Sequence, residues 1–221
     1  MERNDNHYTG GEKGAGGGVR YAMIIDLRRC IGCHSCSIGC KAEFDVPVGR
    51  YRSWVKYADR GTYPNVRRYF LPRLCNHCKN PSCERVCPTS ATYIRDDGTV
   101  QIDNSKCIGC KYCMIACPYE ARFINPVTGT ADKCSFCVHR VDKGVIPSCV
   151  QTCLGRARIF GDLNDPNSEI SKYIAENPVR QLKPATGNDP HVFYIGLDEY
   201  VESLKGGVTS MAGVERETHV E

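Results

Sequence analysis

The sequence predicts an α+β fold in which one small cysteine-rich unit occurs twice, one copy nested inside the other, with a loop insertion and a C-terminal extension. Three observations predict it. Sixteen of the 221 residues are cysteines, and they fall into four groups of four. Cys30, Cys33, Cys36, Cys40 and Cys107, Cys110, Cys113, Cys117 both read C-x2-C-x2-C-x3-C, while Cys75, Cys78, Cys83, Cys87 reads C-x2-C-x4-C-x3-C. The last group, Cys134, Cys137, Cys149, Cys153, has a longer gap in the middle. Finally, a strand–turn–strand pattern joins the second and third groups, and single strand patterns flank the first and fourth.

Taken in order, residues 1–18 are polar and Gly-rich and are expected to be flexible. Val19 to Asp26 reads as a strand leading into the first group, and Tyr21 to Leu27 is the strongest apolar stretch of the chain. Residues 41–74 hold no cysteine, carry the only tryptophan, Trp54, and are rich in Tyr and Arg. A packed loop region or a subunit contact is expected there. Ala91 to Arg95 and Val100 to Asp103 read as two strands around a tight turn at Asp96-Asp97-Gly98. This hairpin makes residues 75–130 an inner unit. Residues 19–40 and 131–163 form the outer, interrupted copy, with Ala157 to Gly161 as its returning strand. In the C-terminal extension, residues 164–205, Ser168 and Glu169 with Ile170, Tyr173 and Ile174 mark a short helix. Lys183 to Pro190 reads as a loop, His191 to Leu197 as a strand and Asp198 to Leu204 as one or two helical turns; residues 206–221 are expected to be a flexible tail.

The spacing points to iron–sulfur chemistry. Runs of C-x2-C-x2-C-x3-C followed by proline hold [4Fe–4S] clusters in bacterial ferredoxins, with the fourth cysteine on the other cluster; Pro88 and Pro118 follow the second and third groups. Sixteen thiolates at four per cluster give four [4Fe–4S] clusters with none left over, so the fold is expected to be a duplicated bacterial-ferredoxin-like one. Gly32 and Gly109 sit between the first two ligands, where a small residue lets the backbone approach the sulfides. Zinc sites take ligands in tetrahedral pairs, and a disulfide scaffold would leave the repeated spacing a coincidence; a zinc-binding scaffold is the alternative from another class.

The formal charge of +4 counts every cysteine as neutral. An oxidised cluster with its four thiolates carries about −2, so four add about −8 and bring the chain near −4. Arg28, Arg29, Lys79, Arg85, Lys106, Lys111 and Lys133 lie in or beside cysteine groups. Most are expected to solvate the surface and balance cluster charge, and some to tune potentials. His34, His77 and His139 are read as ordinary polar residues rather than hydrogen-bond donors to a cluster or a partner's cofactor. No basic run interleaved with aromatics suggests nucleic acid, no apolar run reaches membrane-span length, and the first twenty residues lack a secretory h-region. Neither a Ser–His–Asp set, a phosphate loop nor a dinucleotide motif stands out, so no catalytic residue is assigned.

Together LCNHCKNPSCERVCPTSATY, CIGCKYCMIACPYEARF, ADKCSFCVHRVDKGVIPSC and FGDLNDPNSEISK resemble the four-cluster, ferredoxin-like electron-transfer subunits of molybdopterin respiratory oxidoreductases, over about Tyr21 to Leu204. Members serve polysulfide, thiosulfate, tetrathionate, arsenate and dimethyl sulfoxide reductases, and close relatives accompany cytochrome-based nitrite-reduction and sulfite-reduction complexes. The resemblance implies a ligand pairing. The outer clusters would use Cys30, Cys33, Cys36 with Cys153, and Cys134, Cys137, Cys149 with Cys40. The inner ones would use Cys75, Cys78, Cys83 with Cys117, and Cys107, Cys110, Cys113 with Cys87. It also implies partners: a molybdopterin (Mo or W) catalytic subunit facing the Cys30 cluster and an integral membrane, quinone-binding subunit facing the Cys107 cluster. The protein would be a non-catalytic relay of a sulfur-oxyanion or polysulfide type complex, or, as the alternative, of a cytochrome-linked quinone complex. It would be peripheral to the membrane, expected on the periplasmic side by export on a partner rather than on the cytoplasmic side.

Overall fold

The computed structural model describes residues 18–203; the expected flexible tail 206–221, and all but Gly18 of the expected flexible segment 1–18, lie outside the described residues. Strand β1 (Tyr21–Asp26) is buried from Ala22 onward. Met23 and Ile25 enter the main core, while Ala22 and Ile24 enter a smaller apolar cluster with Ile159, Ile170 and Ile195. A strand covered on both faces reads as an unbroken apolar run, which is why this segment stands out in the sequence. Helix α1 (Ser35–Phe44) follows and carries Cys36 and Cys40 one turn apart.

Residues 41–74 are not a packed loop. Strands β2 (Ser53–Arg60) and β3 (Arg67–Leu74) pair antiparallel along their whole length, from Ser53 with Leu74 to Arg60 with Arg67. Arg and Tyr side chains line this ribbon: Arg68 pairs with Asp59 at 2.6 Å and lies over the Tyr57 ring at 5.5 Å. Trp54 is 1% exposed and anchors the ribbon in the core. Pro72 is tolerated because each strand of a two-stranded ribbon has a free edge.

The middle of the chain runs through α2 (Ser82–Arg85), the hairpin β4 (Thr92–Ile94) and β5 (Val100–Ile102), α3 (Tyr112–Ile115) and a second small hairpin, β6 (Phe123–Ile124) and β7 (Ala131–Asp132). Then come α4 (Val138–Val141), α5 (Ser148–Gln151), β8 (Arg158–Asp162) and α6 (Glu169–Glu176), whose cap Ser168 accepts the Ser171 N–H. The chain ends, within the described residues, with β9 (Val179–Arg180), a short 3-10 turn (Pro184–Thr186), β10 (Val192–Ile195) and α7 (Glu199–Ser203).

One four-stranded sheet has the order β8-β1-β10-β9. β1 is antiparallel to β8 and parallel to β10, with Met23 opposite Val192. The C-terminal extension therefore completes the sheet beside the first strand. α1 packs on α5, and α2 on α3. The main core mixes Trp54, Leu71, Phe123, Phe136 and Tyr194 with Cys36, Cys75, Cys78, Cys134 and Cys149, so cysteines occupy the protein interior.

Candidate metal centres

The fold gathers the sixteen cysteines into four tetrads. Cys30, Cys33, Cys36 and Cys153 line one cavity. Cys75, Cys78, Cys83 and Cys117 line a second, and Cys87, Cys107, Cys110 and Cys113 a third. Cys40, Cys134, Cys137 and Cys149 make the fourth set: Cys40 interacts with Cys149 and Cys137, and Cys134 with Cys40, Cys149 and Cys137. Each tetrad takes three cysteines from one sequence group and one from another, the first group exchanging with the fourth and the second with the third. In every group the two cysteines of C-x3-C belong to different tetrads.

The geometry suits a multi-iron cube better than its competitors. All sixteen cysteines are free. Among the described residues no three His, Cys, Asp or Glu side chains converge closely enough to hold a single metal ion, as zinc at about 2.3 Å from each sulfur would require. In three of the tetrads the thiols instead line a shared cavity.

A repeated backbone bend builds these loops. The residue before the second cysteine of each group is left-handed in all four: Gly32 (φ 67°), His77 (43°), Gly109 (69°) and Phe136 (54°). A Cβ on Gly32 would lie 2.1 Å from the Phe70 ring, and one on Gly109 would lie 2.6 Å from the Gly129 carbonyl oxygen. The two glycines thus answer a close protein neighbour and a positive φ, a more specific reason than the expected approach to sulfide. At the other two loops His77 and Phe136 stack on each other, centroids 3.8 Å apart.

Burial dominates the thiol chemistry. It pushes Cys83 and Cys137 up to about 11, and raises Cys40, Cys78 and Cys134 further. Iron takes the thiolate, so cluster binding must expel these protons. Backbone N–H groups donate to cysteine sulfur: Ala157 N–H to Cys153 at 3.2 Å, Phe136 N–H to Cys134 and Ala131 N–H to Cys107 at 3.4 Å, and Thr92 N–H to Cys87 at 3.5 Å. At Cys87 burial acts upward, but the bonds from Thr92 and Thr89 outweigh it and hold the thiol below its usual value.

Of the seven cations singled out in the sequence, only Lys133 is buried; the others are exposed. Arg28 pairs with Asp26 at 2.8 Å, Arg29 donates to the Tyr173 hydroxyl at 3.1 Å, and Lys106 pairs with Asp103 at 3.4 Å. Four more buried cations were not singled out, Lys56, Arg73, Arg122 and Arg158, and of these Arg122, 2% exposed, and Arg158, 3%, lie beside cysteines of the tetrads. Arg122 Nη2 donates to Cys83 Sγ at 3.0 Å. Burial works against the Arg158 charge, but Cys36 and Cys149 more than offset it and its pKa lies above the usual arginine value. Burial lowers Lys133, opposed by Cys75. Among the described residues no carboxylate forms an ion pair with Arg122, Lys133 or Arg158. Burying a cation without a counter-charge costs several kcal/mol, and a thiolate-bound cluster supplies the missing anion. The residues present fit the group.

His77 is fully buried; it accepts the Val100 N–H on Nδ1 at 3.1 Å, which puts its proton on Nε2, and burial holds its pKa well below the usual value. His34 lines the Cys30 cavity, and His139 meets Glu43 at the surface at 2.7 Å. Only two cysteines are exposed, Cys33 and Cys110. They lie in different tetrads, beside exposed Ile31 and Ile108.

Residues 66–163 match the family model of the 4Fe-4S dicluster domain. The chain is 52% identical over 192 residues to a tetrathionate reductase subunit of Salmonella typhimurium, covering 85% of this chain and 77% of the relative. It is 40% identical over 210 residues to a selenate reductase subunit of Mesobacillus selenatarsenatis, covering 80% and 72%. With protein NrfC of Escherichia coli it shares 42% identity over 182 residues, covering 80% and 81%.

Proposed function

We propose, on the premise that this chain belongs to the family of ferredoxin-type iron–sulfur subunits of molybdopterin respiratory oxidoreductases, that its four tetrads each hold one [4Fe–4S] cluster and form a single relay across the molecule. The chain is an electron-transfer protein and its cysteines bind [4Fe–4S] clusters. The observation that carries the assignment to sites is the three-plus-one convergence of cysteines, with Arg122, Lys133 and Arg158 buried beside them and, among the described residues, paired with no carboxylate.

In this reading the sixteen residues are ligands. Cys30, Cys33, Cys36 and Cys153 hold the first cluster; Cys40, Cys134, Cys137 and Cys149 the second; Cys75, Cys78, Cys83 and Cys117 the third; Cys87, Cys107, Cys110 and Cys113 the fourth. The nested duplication has the support of the four left-handed bends and of the paired packing of α1 with α5 and α2 with α3. When bound, each cluster takes up and gives back one electron. The chain fixes the sites, keeps water from the two middle ones and donates N–H groups to ligand sulfur.

The order of the relay follows from contact. C-x3-C turns link the first tetrad to the second and the third to the fourth, and Cys134 faces Cys75 between the second and third. The exposed cysteines sit in the first and fourth tetrads, which makes these the ends. The first would meet a molybdopterin catalytic subunit and the fourth a quinone-reactive membrane subunit. Exposed Ile31 and Leu154 at one end, and Ile108 and Ile115 at the other, suit such contacts. Similarity to a tetrathionate reductase subunit supports a sulfur oxyanion as the substrate of the complex. Among the described residues no helix is long and apolar enough to cross a membrane. In this proposal the chain is a peripheral, non-catalytic subunit on the periplasmic side, exported with its catalytic partner.

Anaerobic purification with the native partners, followed by metal analysis, tests this. Molybdenum or tungsten at one atom per roughly sixteen or more irons is expected. Iron with haem and neither of those metals would overturn the partner assignment and indicate a cytochrome-linked quinone complex.

A further inference from the structure

The proposed relay has three junctions between successive tetrads, and each holds one buried cation. At the first junction, Arg158 lines the cavity of Cys30, Cys33, Cys36 and Cys153 and lies close enough to Cys149 of the second tetrad to interact with its charge. Its Nη2 donates to Ser53 Oγ at 3.0 Å, which fixes the guanidinium. At the second, Lys133 Nζ donates to the carbonyl of Cys134, a residue of the second tetrad, at 2.8 Å, and to the carbonyl of Val100, which lines the cavity of the third. At the third, Arg122 Nη2 donates to Cys83 Sγ of the third tetrad at 3.0 Å. Its Nη1 donates to Thr92 Oγ1, also at 3.0 Å, and Thr92 lines the cavity of the fourth. Arg73, about as buried, is instead directed at the Tyr119 carbonyl at 3.0 Å.

We infer that Arg158, Lys133 and Arg122 are potential-setting residues, one per junction, each raising the reduction potentials of the two clusters that flank it and offsetting repulsion between electrons on neighbouring clusters. The inference rests on the ligand assignment above. A cluster with four thiolates is already negative, and reduction adds a further negative charge while its donor loses one. A fixed cation beside it favours the reduced form. The three side chains are 2–3% exposed, where solvent and salt screen little. Because each cation lies between two tetrads, its effect falls on a pair of neighbours. Arg cannot lose its proton in a protein, so two of the three charges are permanent.

The test is an EPR-monitored redox titration of the full chain in its complex, with iron and acid-labile sulfide measured on every sample. The variants are Arg158→Gln, Lys133→Gln and Arg122→Gln, each beside a charge-keeping exchange, Arg158→Lys, Lys133→Arg and Arg122→Lys. Each glutamine variant should make the two flanking clusters harder to reduce by about tenfold or more, about 59 mV per tenfold for one electron, and leave the other two in place. The charge-keeping variants should titrate near the unsubstituted protein. Unmoved potentials, or an equal shift in all four clusters, with iron and sulfide intact, would overturn the inference. Where a glutamine variant loses iron, its charge-keeping partner decides. Retained iron there supports a requirement for charge; loss in both means shape alone is at stake and overturns it. Absence of iron and sulfide from the unsubstituted chain would instead overturn the ligand assignment.

Discussion

Gly109 illustrates how closely single residues are constrained around the tetrads. Its φ is 69°, and a Cβ there would lie 2.6 Å from the Gly129 carbonyl oxygen. Gly109→Ala is expected to cost about 1–3 kcal/mol through strain and collision, lowering the melting temperature and the iron content of the fourth site; an unchanged melt with full iron would contradict this. His191 gives a pH-dependent prediction. It is buried, and desolvation, with the Arg20 guanidinium donating to Nε2 at 2.7 Å, lowers its pKa to about 4. The folded state therefore holds the ring neutral. As pH falls from 6.5 toward 4, the unfolded chain takes up a proton that the folded chain refuses. Stability is complete above this window and is lost progressively through it, by up to about 3 kcal/mol. Thermal melts across this window should fall more steeply for the native chain than for His191→Gln. At this scale the cysteines were legible because a cube fixes the spacing of the thiolates that cap it. Arg122 and Arg158 were not, because their partners are distant in sequence and nothing local distinguishes them from surface arginines.

Among the elements, the β2–β3 ribbon shows what sequence pattern conceals. Its Arg, Lys and Asp content and Pro72 argue against a strand, yet cross-strand pairs and cation–ring contacts stabilise it while Trp54 and Leu71 enter the core. Trp54→Ala is expected to cost about 3–5 kcal/mol, read as a lowered denaturant midpoint; a shift within error would mean that the ribbon is not anchored there. β1 and the β4–β5 hairpin were visible beforehand, the first as an apolar run and the second through its turn residues. β6, β7 and β9 have two residues each, too few for any periodicity. The parallel pairing of β1 with β10 joins residues at opposite ends of the described chain, and only tertiary packing selects it.

For the whole molecule, cysteines fill the interior that apolar side chains occupy in an ordinary domain of this length. Folding and cluster binding are then one process. Iron removal by an anaerobic chelator should abolish cooperative unfolding, and an apo chain that melts cooperatively at the same temperature would contradict this. The proposed membrane-facing end of the relay is apolar and exposed: Ile108 is 67% exposed and Ile115 82%. Replacing both with glutamine should slow reduction of this chain by quinol in the complex severalfold or more while iron stays constant. Unimpaired reduction would move the membrane contact elsewhere.

The central claim is that four cysteine tetrads hold four clusters that act as one-electron stations. Iron and acid-labile sulfide, measured together on the anaerobically purified chain and followed by EPR during reduction, address it most directly. The expected result is about sixteen of each per chain, with signals that appear in one-electron steps. A colourless, EPR-silent chain containing zinc, or iron sufficient for fewer than four clusters, would contradict it.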